Sequence, residues 1–196
     1  AEILQAKREK RGSIDFDFPE AKIILDEKGK PIDVKEYERT QANRIIEEFM
    51  LAANQTVAEE YFWSELPFVY RTHETPDMEK IQNLALFIEN FGYTLKIKED
   101  EIHPKEIQKR AIAGKPEEGL IGRLALRSMK QARYTTDCEG HFGLAMKYYC
   151  HFTSPIRRYP DLQIHRIIKE NLHGGMKEKR IGHYQKILPE VTEQTS

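Results

Sequence analysis

Cysteine is scarce in this sequence, with only Cys138 and Cys150 among 196 residues. Two cysteines are too few for the disulfide framework that supports small secreted domains, so free thiols in a reducing compartment are the simpler interpretation. The sequence also shows no signal peptide and no apolar run near the roughly 20 residues that a membrane span requires. We therefore expect a cytoplasmic protein that makes no use of a membrane.

The chain also lacks a strong net charge of either sign, because 31 basic and 32 acidic residues leave a formal charge of -1. A global positive field of the kind that marks many nucleic-acid-binding proteins is therefore excluded, and any such contact must come from a local basic patch. Hydrophobic residues make up 39% of the chain and aromatic residues 10%. This composition excludes a disordered chain and predicts one or two ordinary cores.

The hydrophobic pattern changes from strand-like to helical along the chain. Alternating or extended apolar stretches at 14–18, 21–25 and 32–34 predict strands, the last two joined as a hairpin. From Thr40 to Val57 apolar residues recur at three- and four-residue steps, which predicts a long amphipathic helix. Further helices are expected from the Thr75-Pro76 step to before Gly92 and over 105–113, 117–132, 162–172 and 181–188. The predicted fold class is α+β: one mostly helical domain with a short antiparallel strand region near the N-terminus.

The segment from 153 to 161 carries the most chemical information. Thr153-Ser154-Pro155 is a strong helix-start signal, although Pro160 can limit it to one turn before the main helix begins. Arg157 and Arg158 fall in that turn, where the helix dipole disfavours cations. An anion should therefore offset them.

Two interpretations of these arginines remain open. In the first, Asp161 forms a local ion pair with Arg157 at i+4 or with Arg158 at i+3. In the second, the helix N–H groups and a guanidinium bind a phosphodiester. Nearby aromatic residues could then stack on bases, although aromatics at this density are more often part of a core. They are Tyr148, Tyr149, Phe152 and Tyr159.

Three stretches of the sequence resemble a known family. They are residues 45–54 on the long helix, residues 126–132, and a signature made of 141–145, Tyr149, 151–162 and His165-Arg166. In this order they closely resemble the RNB catalytic domain of the ribonuclease II superfamily, and they are nearer to ribonuclease R than to ribonuclease II. The resemblance covers essentially residues 1–196, which are expected to be one partial RNB catalytic domain.

The resemblance implies processive, metal-dependent hydrolysis of single-stranded RNA from its 3′ end to nucleoside 5′-monophosphates. By that resemblance Arg157 is the active-site arginine that holds the scissile phosphate. Glu47, or the adjacent Glu48, is the acidic residue near the terminal ribose, where a 2′-hydroxyl distinguishes RNA from DNA. The other residues expected to contact RNA are Phe16, Tyr149, Ser154, Arg158 and Tyr159. Apart from the family pattern, Glu47 would be a solvated helix residue and Phe16 a core strand residue.

Mg²⁺ is expected in the complete enzyme, because two-metal hydrolysis needs several carboxylates that converge on the ions. Asp15 and Asp17 are the only aspartates spaced two apart, and they do not match the aspartate-rich motif of the family. That motif is expected before Ala1 with cold-shock-like domains, and an OB-type domain is expected after Ser196. We therefore expect this chain to bind no metal and to be inactive alone.

A zinc site is the weaker metal hypothesis. It would use Cys138, His141, Cys150 and His151, but the adjacent Cys150-His151 pair suits tetrahedral ligation poorly.

Three functions remain to be distinguished. The complete protein could be an exoribonuclease of which this chain is the metal-free half. The chain could instead be an RNA-binding module without catalysis, or a structural fragment. An aspartate-rich segment in the parent gene would favour the first function, and RNA binding without hydrolysis would favour the second. If neither is observed, the structural fragment is the remaining interpretation. The sequence implies no obligate protein partner.

Overall fold

The computed structural model describes residues 1–15, 21–37, 39–97, 101–112 and 116–196. Its helices are α1 (Glu2–Arg11), α2 (Gln41–Trp63), α3 (Met78–Glu89), α4 (Pro104–Glu106), α5 (Glu118–Ser128), α6 (Tyr159–Leu172) and α7 (Glu178–Thr195), with a π-helical turn at Ile107–Ile112. Its strands are β1 (Ala21–Leu25), β2 (Pro31–Glu36), β3 (Tyr70–Thr72) and β4 (Arg133–Thr135). The predicted α+β, mostly helical class is confirmed.

The predicted hairpin is present, with β1 antiparallel to β2 and Ile23 opposite Val34. Its turn is held by Asp26 Oδ1, which accepts the backbone N–H groups of Lys28 and Lys30 at 2.9 and 2.8 Å. Strand alternation puts Ile23 and Val34 on one face, where they are 58% and 64% exposed. The hairpin therefore contributes nothing to the buried core residues described below.

Helix α2 begins where the sequence predicts, because Thr40 forms a capping box with Asn43. Its buried residues change in character along the helix: Glu48 and Asn54 are polar, whereas Ala58 and Tyr61 are apolar. The first half of α2 therefore presents polar groups to its neighbours, and the second half packs into a core.

Two hydrophobic cores are described, and the signature segment joins them. The first lies around α3, α5 and the π-helical turn, and contains Ile14, Ile81, Leu84, Ile88, Leu95, Ile102, Ile107, Ile121, Ala125, Met129 and Phe142. The second lies between α2, α6, α7, β3 and β4, and contains Ala58, Tyr61, Phe68, Val69, Tyr70, Tyr134, Tyr148, Cys150, Ile164, Ile167, Tyr184 and Leu188. Phe142 belongs to the first core and Tyr148 and Cys150 to the second, so this segment is fixed at both ends.

Several helix boundaries differ from those predicted. Helix α3 begins at Met78 because Asp77, not Thr75, caps it by accepting the Glu79 N–H at 2.9 Å. Helix α5 ends at Ser128 rather than 132, since the chain turns extended and β4 pairs with β3. Residues 104–112 form α4 and the π-helical turn, and α7 extends beyond the predicted 181–188 at both ends.

Over the described ranges, no helix combines the length and the apolar character needed to cross a membrane.

Candidate functional site

The segment before α6 forms one tight turn. The backbone N–H groups of Arg157 and Arg158 donate to the Ser154 carbonyl at 3.3 and 3.1 Å. Arg158 is then extended, and α6 starts at Tyr159 with Pro160 in its first turn. A single turn followed by a separate helix is the arrangement that Pro160 favours.

A buried carboxylate ties this turn to α6. Asp161 is 0% exposed, and it accepts hydrogen bonds from Arg158 Nε at 2.8 Å, Arg158 Nη2 at 2.7 Å and the Ser154 N–H at 2.8 Å. Asp161 also lies in the first turn of α6, where the helix dipole favours an anion. The local ion pair therefore exists at i+3 with Arg158.

Arg157 has a different environment from Arg158. Its side chain is exposed, and within the described ranges no hydrogen bond or ion pair engages its guanidinium. The neighbouring Ile156 is 98% exposed and Tyr159 is 47% exposed. The turn thus presents a guanidinium without a partner among the described residues, two positions before the accessible Tyr159 at the start of a 14-residue helix.

Asn54 supports this segment from below, on α2. Its Nδ2 donates to the Tyr149 hydroxyl at 3.3 Å, and its Oδ1 accepts the Phe152 N–H at 2.9 Å. Its backbone carbonyl also accepts from Cys150 Sγ at 3.2 Å. Sequence reasoning did not assign Asn54 a role; the available signal was an asparagine within the apolar pattern of an amphipathic helix.

The predicted RNA-contacting residues do not all share one surface. Ser154, Arg158 and Tyr159 lie on or next to the turn with Arg157. Tyr149 is only 6% exposed and belongs to the buried layer over Asn54, so its contact with RNA stays a prediction. Phe16 lies outside the described residues.

Glu47 and Glu48 occupy distinct environments on α2. Glu48 is 4% exposed, and its Oε1 lies 2.8 Å from Arg8 Nε. The Glu47 side chain is 32% exposed and pairs with Arg8 and Arg39. Glu47 lies seven residues before Asn54, which places both on one face of α2, about 10 Å apart along the helix axis.

A layer of partly buried histidines lies beside Tyr149. The His141 ring is 4.9 Å from the His73 ring and 5.2 Å from the Tyr149 ring, and His151 lies 5.7 Å from Tyr149 between ring centroids. Burial, followed by the charge of His73, lowers the pKa of His141 to about 3. Burial, followed by Arg158, lowers the pKa of His151 to about 4. Both rings are therefore neutral near pH 7.

The described residues contain no group of three or more His, Cys, Asp or Glu side chains arranged to hold a metal ion. The four proposed zinc ligands each contact protein atoms instead: Cys138 the Lys147 carbonyl, His141 the Leu144 N–H, Cys150 the Asn54 carbonyl and His151 the Tyr134 hydroxyl. The nearby carboxylates of Asp15, Glu47 and Glu48 pair with arginines.

The family model described as the RNB domain matches residues 1–174. The chain belongs to the RNB domain family. Ribonuclease R of Aquifex aeolicus is 50% identical over 174 residues, which cover 88% of this chain and 24% of that protein. Ribonuclease R 1 of Lactococcus lactis is 45% identical over 196 residues, which cover 99% of this chain and 24% of that protein. The RNB chain thus spans about a quarter of the length of these curated relatives.

Solved structures share the RNB fold. Mycoplasma genitalium RNase R in complex with ribose methylated single-stranded RNA superposes with a TM-score of 0.89 at 29% identity, over 99% of this chain and 31% of that chain. Yeast Ssd1, described as a pseudonuclease, gives a TM-score of 0.65 at 29% identity, over 81% of this chain and 20% of that chain. The family resemblance drawn from the signature is therefore confirmed.

The RNB match ends before α7, yet α7 completes the second core. Tyr184 and Leu188 of α7 are 3% and 0% exposed. At its end, Ser196 Oγ accepts the Tyr134 N–H of β4 at 2.7 Å. Helix α7 therefore packs as part of the same folded unit as the signature.

Proposed function

We propose that this chain forms the arginine-bearing side of the active site of a processive 3′-to-5′ exoribonuclease that releases nucleoside 5′-monophosphates from single-stranded RNA. The observation that carries the proposal is Arg157, an exposed guanidinium that no described residue pairs with, on a turn fixed by Asp161. A guanidinium can donate two parallel hydrogen bonds to phosphate oxygens. Fixed in place, it would also offset the charge that develops on the scissile phosphate. The similarity to ribonuclease R proteins supports this assignment.

The other site residues have supporting roles. Arg158 holds Asp161 and so positions the turn. Tyr159 offers an exposed ring on which a base can stack. Glu47 is the better candidate than Glu48 to meet the terminal ribose, because the Glu48 carboxylate is buried against Arg8.

In the complete enzyme, Mg²⁺ would activate water and stabilise the leaving oxygen. The described residues supply no group of carboxylates that fits the ion, so its ligands would come from outside them. The free thiols of Cys138 and Cys150 support a reducing, cytoplasmic location.

RNA binding without hydrolysis is the second candidate function. The similarity to Ssd1, described as a pseudonuclease, favours it, because that protein shares the fold. In this case Arg157 would hold a phosphate of bound RNA with no bond broken.

The test compares Arg157→Ala with Arg123→Ala, a matched exposed arginine on α5. Each variant of the complete protein is incubated with 3′-tailed single-stranded RNA and Mg²⁺, and released mononucleotides and the thermal unfolding midpoint are measured. Arg157→Ala should reduce release about 100-fold or more, the scale of losing one transition-state donor, with the midpoint unchanged; Arg123→Ala should change neither. Full release by Arg157→Ala, or an equal loss of folding, would overturn the proposal.

Binding and release, measured on the complete protein and on the isolated chain, distinguish the two candidates further. Binding of RNA by the complete protein with no release, lost in Arg157→Ala, supports the RNA-binding function. Release by the isolated chain itself would show that the metal ligands lie within it.

A further inference from the structure

A closed ring of ion pairs surrounds the Glu47 carboxylate. Arg8 Nη1 lies 3.5 Å from Glu47 Oε1, and Arg8 Nη2 lies 3.5 Å from Asp15 Oδ2. Arg39 completes the ring: Nη1 lies 3.5 Å from Asp15 Oδ1, and Nη2 donates to Glu47 Oε2. The two oxygens of Glu47 are therefore bound by two different arginines.

One side of the ring is rigid and the other is open. Arg8 is 11% exposed, and its Nε is anchored 2.8 Å from the buried Glu48 carboxylate. Arg39 and Glu47 have side chains that are 27% and 32% exposed. Arg39 directly precedes Thr40, the capped start of α2, which fixes the backbone from which its side chain extends. The accessible edge of the ring is thus formed by Arg39, Glu47 and Asp15, whose side chain is 41% exposed.

This arrangement fixes the orientation of the Glu47 carboxylate but does not use all of its hydrogen-bond acceptor positions. A carboxylate oxygen has two acceptor positions, so each Glu47 oxygen can still accept one further hydrogen bond. An ionised carboxylate accepts hydrogen bonds and donates none. The geometry therefore suits a neutral hydroxyl donor at a defined position.

We propose that Arg8 and Arg39 are positioning residues that aim the Glu47 carboxylate at the 2′-hydroxyl of the terminal ribose, so that Arg39 sets the preference for RNA over DNA. This inference rests on the proposed role of Glu47. Arg39 is the residue to test, because removing Arg8 would leave the buried Glu48 without its cation and so endanger folding.

The experiment measures the affinity of the complete protein, without added Mg²⁺ to prevent hydrolysis, for two fluorescent strands. One is single-stranded RNA, and the other is the same strand ending in a 2′-deoxyribonucleotide. Arg39→Ala should lower affinity for the first about tenfold, the scale of one hydrogen bond to a charged group, and leave affinity for the second unchanged. Arg39→Lys should restore part of the preference, because it returns the charge but not the guanidinium fork.

Lys35→Ala is the matched control, since Lys35 is an exposed cation on β2 that pairs only locally with Asp33 among the described residues. It should leave both affinities unchanged. If Arg39→Ala lowers the affinity for both strands equally, Arg39 binds the strand itself or supports the fold, and the positioning role is wrong.

Glu47→Ala separates this inference from the proposed role of Glu47, because Gln would keep a carbonyl oxygen that can accept the 2′-hydroxyl. If Glu47→Ala leaves the ribose preference intact, the role of Glu47 is itself wrong. If Glu47→Ala removes the preference while Arg39→Ala retains it, only the positioning role of Arg39 fails.

Discussion

The Arg158 guanidinium holds the Asp161 carboxylate through two parallel hydrogen bonds, from Nε at 2.8 Å and from Nη2 at 2.7 Å. The same carboxylate accepts the Ser154 N–H, so one buried anion fixes both the turn and the first turn of α6. Arg158 balances this charge, whereas among the described residues the Arg157 guanidinium has no ion-pair partner. The division that we propose is therefore that Arg158 stabilises the turn and Arg157 binds phosphate.

Arg158→Ala should destabilise the protein by about 3–5 kcal/mol, the usual cost of removing one partner of a buried ion pair. Asp161 is 0% exposed and would lose its only cation among the described residues. Arg157→Ala should change the free energy of unfolding by less than about 0.5 kcal/mol, as exposed substitutions generally do. Urea unfolding of the two variants measures the difference, and equal losses would contradict the division of roles.

Asn54→Ala should destabilise the signature segment, because it leaves the Phe152 N–H and the Tyr149 hydroxyl without their partner. Each buried group left unsatisfied costs about 1–3 kcal/mol. Hydrogen exchange at the Phe152 amide should become faster, and RNA affinity should fall as the segment loosens. Asn83→Ala, at an exposed position of α3, is the control and should alter neither quantity.

Gly12→Ala should cost more stability than Gly29→Ala, although both glycines have positive φ, 90° and 77°. The left-handed conformation alone costs about 1–2 kcal/mol for a residue with a Cβ. At Gly12 that Cβ would also lie 2.3 Å from Lys105 Cβ and 2.9 Å from Lys105 Cα, whereas at Gly29 nothing lies within 4 Å. Comparison of their unfolding free energies tests this; similar losses would show that α4 moves to accommodate the methyl group.

Features set by near neighbours in the chain could be predicted from the sequence. The hairpin follows from the extended apolar stretches at 21–25 and 32–34, and Asp26 holds the turn between them. The start of α2 follows from Thr40, and the signature turn from Pro155 and Pro160. In each case the deciding contacts lie within a few residues, where propensity and capping dominate.

Features set by distant contacts could not be predicted from the sequence. Helix α5 ends early because β4 pairs with β3, and Thr135 meets Thr72 across 63 positions at 2.7 Å. The contrast between Glu47 and Glu48 depends on Arg8, 39 positions before Glu47. Periodicity does not specify which distant side chain completes an ion pair. The sequence alone therefore did not distinguish the roles of Glu47 and Glu48.

The partly buried His141 and His151 make stability depend on pH in a definite direction. Their pKa values fall from 6.5 to about 3 for His141 and about 4 for His151, chiefly through burial. The unfolded chain therefore binds protons at these histidines near pH 6.5, whereas the folded chain binds them only at much lower pH. Their contribution to stability is complete above about pH 6.5 and is lost progressively as the pH falls toward 4.

Each such histidine should lower the free energy of unfolding by up to about 1.4 kcal/mol for each pH unit below 6.5. Asparagine at position 141 cannot titrate, and its Oδ1 can still accept the Leu144 N–H that now bonds to His141 Nδ1. Urea unfolding between pH 7 and pH 4.5 should therefore show a shallower loss of stability for His141→Asn than for the parent. His183→Asn, at an exposed position of α7, should keep the parent slope. Identical slopes for all three proteins would show that protonation of His141 does not limit stability in acid. Carboxylate titration does not affect this comparison, because it contributes equally to all three proteins.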